Sequence, residues 1–262
     1  MQFSDTISVL GCGWLGLPLA KSLVEKGYEV RGSTRHPSKI SKLRNGGITP
    51  YIIDLNPTSL NIPTFFSSNI LIINLPPRNH GGDEKMYEKV LSFVRQSAIR
   101  NKVEKVIFIS STGVYLESNK QVTETDASYE GLSRAGISLL KMEEMFSKSS
   151  LTTTVIRFGG LYGPDRHPGN FLKQKENLPG ASNPINMIHL DDCIGMIHYI
   201  IEHELWGEVF NGCSPNLPTR EKFYQNAATE LGVQPPIFSC QEKPYKKVSS
   251  KLIISHGYQF IH

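Results

Sequence analysis

The first residues in this chain with a spacing suited to chemistry are glycines. Gly11-Cys12-Gly13-Trp14-Leu15-Gly16 reads Gly-x-Gly-x-x-Gly. The apolar run Ile7-Ser8-Val9-Leu10 leads straight into it, and residues 15–26 lead out with Leu15, Leu19 and Leu23 one helical turn apart. A glycine loop between a strand and a helix is the setting in which this pattern binds a phosphate-bearing ligand. Gly11 would allow the tight turn, Gly13 would let the backbone approach a pyrophosphate, and Gly16 would let the helix pack close against the strand. The free N–H groups and positive end of the helix then favour the anion. The expected ligand is a dinucleotide, held by the whole loop: Gly11, Cys12, Gly13, Trp14, Leu15 and Gly16.

The end of the next strand selects among dinucleotides. Sites for NAD place an acidic residue there to bind the ribose hydroxyls. This chain has Gly32-Ser33-Thr34-Arg35 instead, followed by His36 and Lys39. Arg35 can pair with a 2′-phosphate, and Ser33 or Thr34 can donate hydrogen bonds to it. NADP is therefore expected ahead of NAD. Further along, Asp54 and Leu55 follow a third strand and can flank the adenine. Asn74, Leu75 and Pro76, with Pro77, follow a fourth strand where the middle of the cofactor would pass. The two prolines equally suit a plain strand end.

The elements that would position these residues alternate regularly. Strands are expected at 28–33, 50–54, 70–73, 106–109 and 152–158, and helices at 39–44, 84–100 and 139–146. Ile70-Leu71-Ile72-Ile73 is apolar at every position, as a strand covered on both faces must be. Such alternation specifies an α/β fold, a Rossmann-like doubly wound parallel sheet with helices on both faces. Beyond Gly159 the texture changes to Gly-Pro-rich loops with helices at 191–202 and 219–231. The expected division is a dinucleotide-binding domain over 1–160 and a smaller substrate lobe over 161–262, interleaved with the last elements of the sheet.

Composition narrows the function classes. The 262 residues include 28 basic and 24 acidic side chains, a net charge of +4. That excess is small and dispersed, so no nucleic-acid partner is expected. Cys12, Cys193, Cys213 and Cys240 form no Cys-x-x-Cys pair, which argues against a zinc site or a disulfide framework and for a reducing compartment. No apolar run approaches the ~18 residues of a membrane span, and residues 1–6 lack the basic start of a signal peptide. A cytoplasmic protein, monomer or homodimer, without a membrane partner is the expectation.

A more specific signature lies at Ser110-Ser111-Thr112-Gly113-Val114-Tyr115. Together with the glycine loop, Arg157-Phe-Gly-Gly-Leu-Tyr-Gly-Pro164 and Ile188-His189-Leu190-Asp191-Asp192, it resembles an extended-type short-chain dehydrogenase/reductase of the NAD-dependent epimerase/dehydratase branch. The matching motifs run in order from residue 7 to about 212. The resemblance implies a Rossmann-like domain, a substrate lobe that often holds a nucleotide-linked sugar, and Ser111 as the hydroxyl that binds the substrate oxygen. Two departures stand out. Leu10 occupies the place of the first glycine in the family's Gly-x-x-Gly-x-x-Gly. The family's catalytic Tyr-x-x-x-Lys is replaced, with Gly136 where the tyrosine falls and Leu140 where the lysine falls; Glu144 matches an acid often found later in that helix.

In the family mechanism the tyrosine moves the alcohol proton, while the lysine lowers its pKa and holds the ribose. Glycine and leucine can do neither. Tyr115, Tyr129 and Lys141 are the nearby substitutes. Lys141 is one residue off, so it points about 100° away from the required direction. Tyr129, in the preceding loop, could either swing in beside Ser111 or pack as a surface aromatic. His189 with Asp191 invites an acid–base pairing, but Asp191 is expected mainly to cap the following helix. His198 and His203 are five apart, unsuited to joint ligation from one helix face, and no metal site is expected. His80-Gly81-Gly82 is either a lid over the cofactor cleft or a plain loop. Arg157 is expected to anchor loops. The resulting expectation is hydride transfer between the nicotinamide and a carbonyl or nucleotide-sugar-like substrate. The alternative is a non-catalytic NADP(H)-binding sensor or scaffold.

Overall fold

The computed structural model describes residues 5–54, 62–76 and 84–262. In chain order the first elements are β1 (Thr6–Leu10), α1 (Gly16–Glu25), β2 (Glu29–Thr34), α2 (Ile40–Arg44), β3 (Thr49–Ile52), α3 (Pro63–Phe66), β4 (Ile70–Ile73), α4 (Glu84–Arg100) and β5 (Lys105–Ser111). Then come β6 (Lys120–Val122), α5 (Arg134–Ser147), β7 (Thr152–Phe158), β8 (Gly160–Tyr162), β9 (Met187–His189), α6 (Leu190–Glu202) and β10 (Val209–Gly212). The last are α7 (Arg220–Glu230), β11 (Lys246–Val248) and α8 (Lys251–Ser255).

Seven strands form one parallel sheet in the order β10-β7-β5-β4-β1-β2-β3. The chain winds outward from β1 through β2 to β3, then crosses back to β4 beside β1. That reversal makes the β1/β4 crevice the switch point of a doubly wound sheet, where ligands of such folds bind. The four β4 residues are each at most 1% exposed, as their unbroken apolar run requires. β5 and α5 meet through Phe108 and Phe146, with ring centroids 5.4 Å apart. The helix α5 begins a turn earlier than its apolar spacing suggests. Ser133 caps it, accepting from the Gly136 N–H at 3.2 Å, so the first turn, which includes Gly136, folds with the rest.

Two compact units divide the chain. The first comprises Met1–Ser110, Ser133–Ile156 and Ile197–Val209. The second comprises Ser111–Leu132, Arg157–Met196 and Phe210–His262, and contains two small parallel pairs, β6 with β11 and β8 with β9. Among the described residues no helix is long and apolar enough to cross a membrane.

Candidate functional site

Within the first unit the glycine loop sits at the switch point. Gly11 turns with a φ of +107°, and a Cβ there would lie 2.4 Å from the Asn74 carbonyl oxygen. Both its conformation and its neighbour demand glycine. At Gly16 a Cβ would stand 2.1 Å from the Gly11 carbonyl oxygen, so only glycine lets α1 approach the turn this closely. Gly13 differs from both. It is exposed, and nothing lies within 4 Å of where its Cβ would be.

Short polar ties hold the loop. Ser33 is buried, and its hydroxyl accepts from the Gly11 N–H at 2.8 Å, while its carbonyl accepts from the Cys12 N–H at 2.9 Å. The Asn74 amide donates to the Gly11 carbonyl at 3.1 Å. Burial pushes the Cys12 thiol up to about 12, so it stays protonated and behaves as packing. Leu15 is buried and Trp14 half-buried. No side chain caps the start of α1; the Leu17 N–H donates to the Gly13 carbonyl at 3.1 Å and Pro18 carries no N–H, which leaves the Gly16 N–H at this helix start for an anion.

The remaining cofactor candidates flank this loop. Thr34 is buried and its hydroxyl accepts from the His36 N–H at 3.1 Å. Arg35, His36 and Lys39 follow β2 as an exposed basic cluster. Asp54 is exposed just beyond β3. Leu75 is buried with its carbonyl accepting from the Tyr87 hydroxyl at 3.0 Å, and Pro76 is exposed. Leu55, Pro77 and His80-Gly81-Gly82 lie outside the described residues. Sequence reasoning gave Ser33 and Asn74 roles toward a ligand; their observed bonds hold the loop itself.

At the C-terminal end of β5, Ser110 and Ser111 face opposite ways, as successive strand residues must. Ser110 is buried in the first unit and its hydroxyl donates to the Glu143 carboxylate. The buried acid of α5 is thus Glu143; Glu144, which the family pattern singles out, forms a partly exposed pair with Lys148 at 2.7 Å. Gly136 and Leu140 are buried, and Lys141 is exposed.

Ser111 belongs to the second unit. It is exposed, and its hydroxyl accepts from the Gly113 N–H at 3.2 Å. Tyr129 is 40% exposed. Tyr115 is spoken for: its hydroxyl donates to Asn211 Oδ1 and accepts from Arg157 Nη1, both at 2.7 Å. Burial pushes this phenol up to about 12, against the opposing pull of the Arg157 charge. Arg157 also donates to the Glu124 carbonyl at 2.8 Å, and the Glu124 carboxylate accepts from the Asn211 N–H at 3.0 Å. This buried network ties loops together.

One expectation is corrected at the start of α6. The helix begins at Leu190, so His189 occupies the cap position, and its Nδ1 accepts from the Asp191 N–H at 3.2 Å. Asp191 and Asp192 lie in the first turn, where carboxylates complement the helix dipole. His189 also lines a cavity of about 620 Å³ within the second unit, together with Tyr162, His167, Phe223, Glu230 and His262. His167 and His262 carried no sequence signal, because nothing near them in the chain forms a pattern.

Comparison with known proteins agrees with this geometry. The model of the NAD(P)H-binding family matches residues 11–188. The chain is 32% identical over 237 residues to Protein YeeZ of Escherichia coli K12, covering 88% of this chain and 86% of that protein. UDP-N-acetylglucosamine 4-epimerase from Bacillus cereus superposes with a TM-score of 0.79 at 17% identity, covering 99% of this chain and 92% of the other. Vestitone reductase from alfalfa superposes with a TM-score of 0.76 at 18% identity, covering 99% and 94%. At those identities the two structures speak to the fold alone. With its glycine loop at the switch point of an epimerase/dehydratase-like sheet, the chain belongs to the NAD(P)H-binding family.

Proposed function

We propose that the protein is an NADP-preferring member of the short-chain dehydrogenase/reductase type, acting on a carbonyl or nucleotide-sugar-like substrate. The observation that carries cofactor binding is Gly13. Neither backbone conformation nor packing demands glycine there, and a pyrophosphate approaching the exposed backbone accounts for it. The uncapped start of α1 supplies the Gly16 N–H for the same anion. NADP preference rests on Arg35, exposed at the end of β2 where an NAD site would place an acid.

When bound, the nicotinamide supplies hydride transfer. The chain's own part is to hold the dinucleotide, orient the substrate and move a proton. Ser111 keeps a hydroxyl proton to donate to a substrate oxygen, since its bond to the Gly113 N–H uses the oxygen as acceptor. Tyr129, on an exposed loop, is the candidate proton donor. A small-molecule substrate, a cytoplasmic location and a monomer or homodimer complete the reading.

A second reading, a sensor or scaffold that binds NADP(H) without chemistry, is favoured by one observation. The positions of the family's tyrosine and lysine are not merely replaced; Gly136 and Leu140 are buried in the packing of α5. Titration with NADPH and NADH, followed through Trp14 fluorescence and checked by calorimetry, tests the cofactor assignment. Tight NADPH and weak NADH binding is expected. Binding of neither would make the glycine loop purely structural and remove both readings. Turnover with carbonyl and nucleotide-sugar substrates then separates enzyme from sensor.

A further inference from the structure

We propose that His189, Asp191 and His262 form a binding site for a four-coordinate divalent transition-metal ion of the zinc type, beside the cavity that the two histidines line. Two of the residues are local, at the junction of β9 and α6, and the third comes from the segment after α8, more than seventy residues on. Asp192 assembles them. It is fully buried, and its carboxylate accepts from the Ile261 N–H at 2.7 Å and the His262 N–H at 3.0 Å. The Tyr258 hydroxyl donates to the Asp192 carbonyl at 2.9 Å. These bonds fix the backbone of His262 and bring its ring to 3.9 Å from that of His189, centroid to centroid.

The spacing of the donor atoms lies at the long end for hydrogen bonding, including the His262 Nε2 contact with Asp191, and suits a cation. Asp191 Oδ2 lies 3.4 Å from His189 Nδ1 and 3.4 Å from His262 Nε2. Good N–H···O bonds fall at about 2.7–3.2 Å. The edge of a tetrahedron with metal–ligand bonds of about 2.0–2.1 Å is about 3.3–3.4 Å. One ligand atom from each residue lies within 4.8 Å of the other two. Two imidazole nitrogens and one carboxylate oxygen form a donor set for zinc-like ions, whereas calcium and magnesium prefer oxygen alone.

Protonation also fits. His189 Nδ1 accepts from the Asp191 N–H, so that nitrogen carries no proton, and its lone pair is held by that amide. A cation would replace the amide as its partner. The opposite nitrogen, Nε2, packs against Gly163, where a Cβ would lie 3.2 Å from it. Three protein ligands leave a fourth position for water or for an oxygen of whatever occupies the cavity. The site needs no dinucleotide and stands apart from the cofactor reading.

The test is titration of untagged, metal-stripped full-length protein with Co²⁺, read by its visible absorption, followed by displacement with Zn²⁺. One equivalent giving the intense bands of a four-coordinate ion, bleached by Zn²⁺, is expected. His262→Ala and Asp191→Asn should each weaken binding at least tenfold while the metal-free protein still melts cooperatively. His167→Ala, on the same cavity but outside the cluster, should bind like the parent. Absence of saturable binding near one equivalent would overturn the proposal, as would equal affinity in the His262 and Asp191 variants.

Discussion

At the scale of single residues, the three loop glycines make separable demands. Gly16→Ala pushes a Cβ against a backbone oxygen and should cost roughly 2–3 kcal/mol in urea unfolding, with cofactor affinity falling as a consequence. Gly13→Val meets open space, so unfolding should stay within about 0.5 kcal/mol of the parent. Dinucleotide binding should nevertheless be lost. Retained affinity in that variant would remove the loop from the cofactor site. Arg35→Ala removes one charge-assisted contact, worth about 1.5–3 kcal/mol, and should weaken NADPH roughly ten- to hundredfold while leaving NADH nearly untouched. An equal loss for both cofactors would show that Arg35 does not meet the 2′-phosphate. On any substrate that turns over, Ser111→Ala should lower kcat/KM more than Thr112→Ala. Unchanged kinetics would leave Ser111 as a turn residue.

At the scale of elements, pattern reading located strands and helices well where apolar periodicity was strong, and less well where a side-chain bond did the work. The run 70–73 became β4 residue for residue. The helix expected at 139–146 is longer as α5, because its first turn contains the poor helix former Gly136 and is held by the Ser133 cap. Ser133→Ala should therefore destabilise the protein by about 1 kcal/mol, and Ser133→Asp should restore most of that loss in the same unfolding assay. The same limit explains His189. Asp is the commoner cap in sequence statistics, but the start of α6 falls two positions too early for Asp191 to serve.

At the scale of the whole molecule, pH dependence reports burial that no local pattern shows. His198 is buried in the first unit, sharing a hydrogen bond with Ser22 at 2.8 Å, and its Nδ1 has no partner among the described residues. Burial, aided by the Lys26 charge, lowers it to about 4 from the usual 6.5. The folded protein thus keeps this ring neutral while an unfolded chain would protonate it. Its contribution to stability is complete above pH 6.5 and is lost as pH falls through 4. Up to roughly 3 kcal/mol should disappear over that window. Urea unfolding at pH 7.5, 5.5 and 4.5 checks this, since His198→Gln should flatten the acid limb. A variant curve parallel to the parent would assign the acid sensitivity elsewhere.

The sequence by itself determined the alternation of strands and helices, the place of the glycine loop between the first two elements, and the absence of an acid after β2. Each depends only on residues close in the chain, where the periods of helix and strand and the geometry of a tight turn act directly. Only the tertiary structure decided that Ser33 and Asn74 bind the loop, that Glu143 rather than Glu144 is the buried acid, and that His262 meets His189. Those outcomes depend on which strand pairs with which and on which face of a helix is covered. The partners stand tens of residues apart in the chain, so no local spacing encodes them.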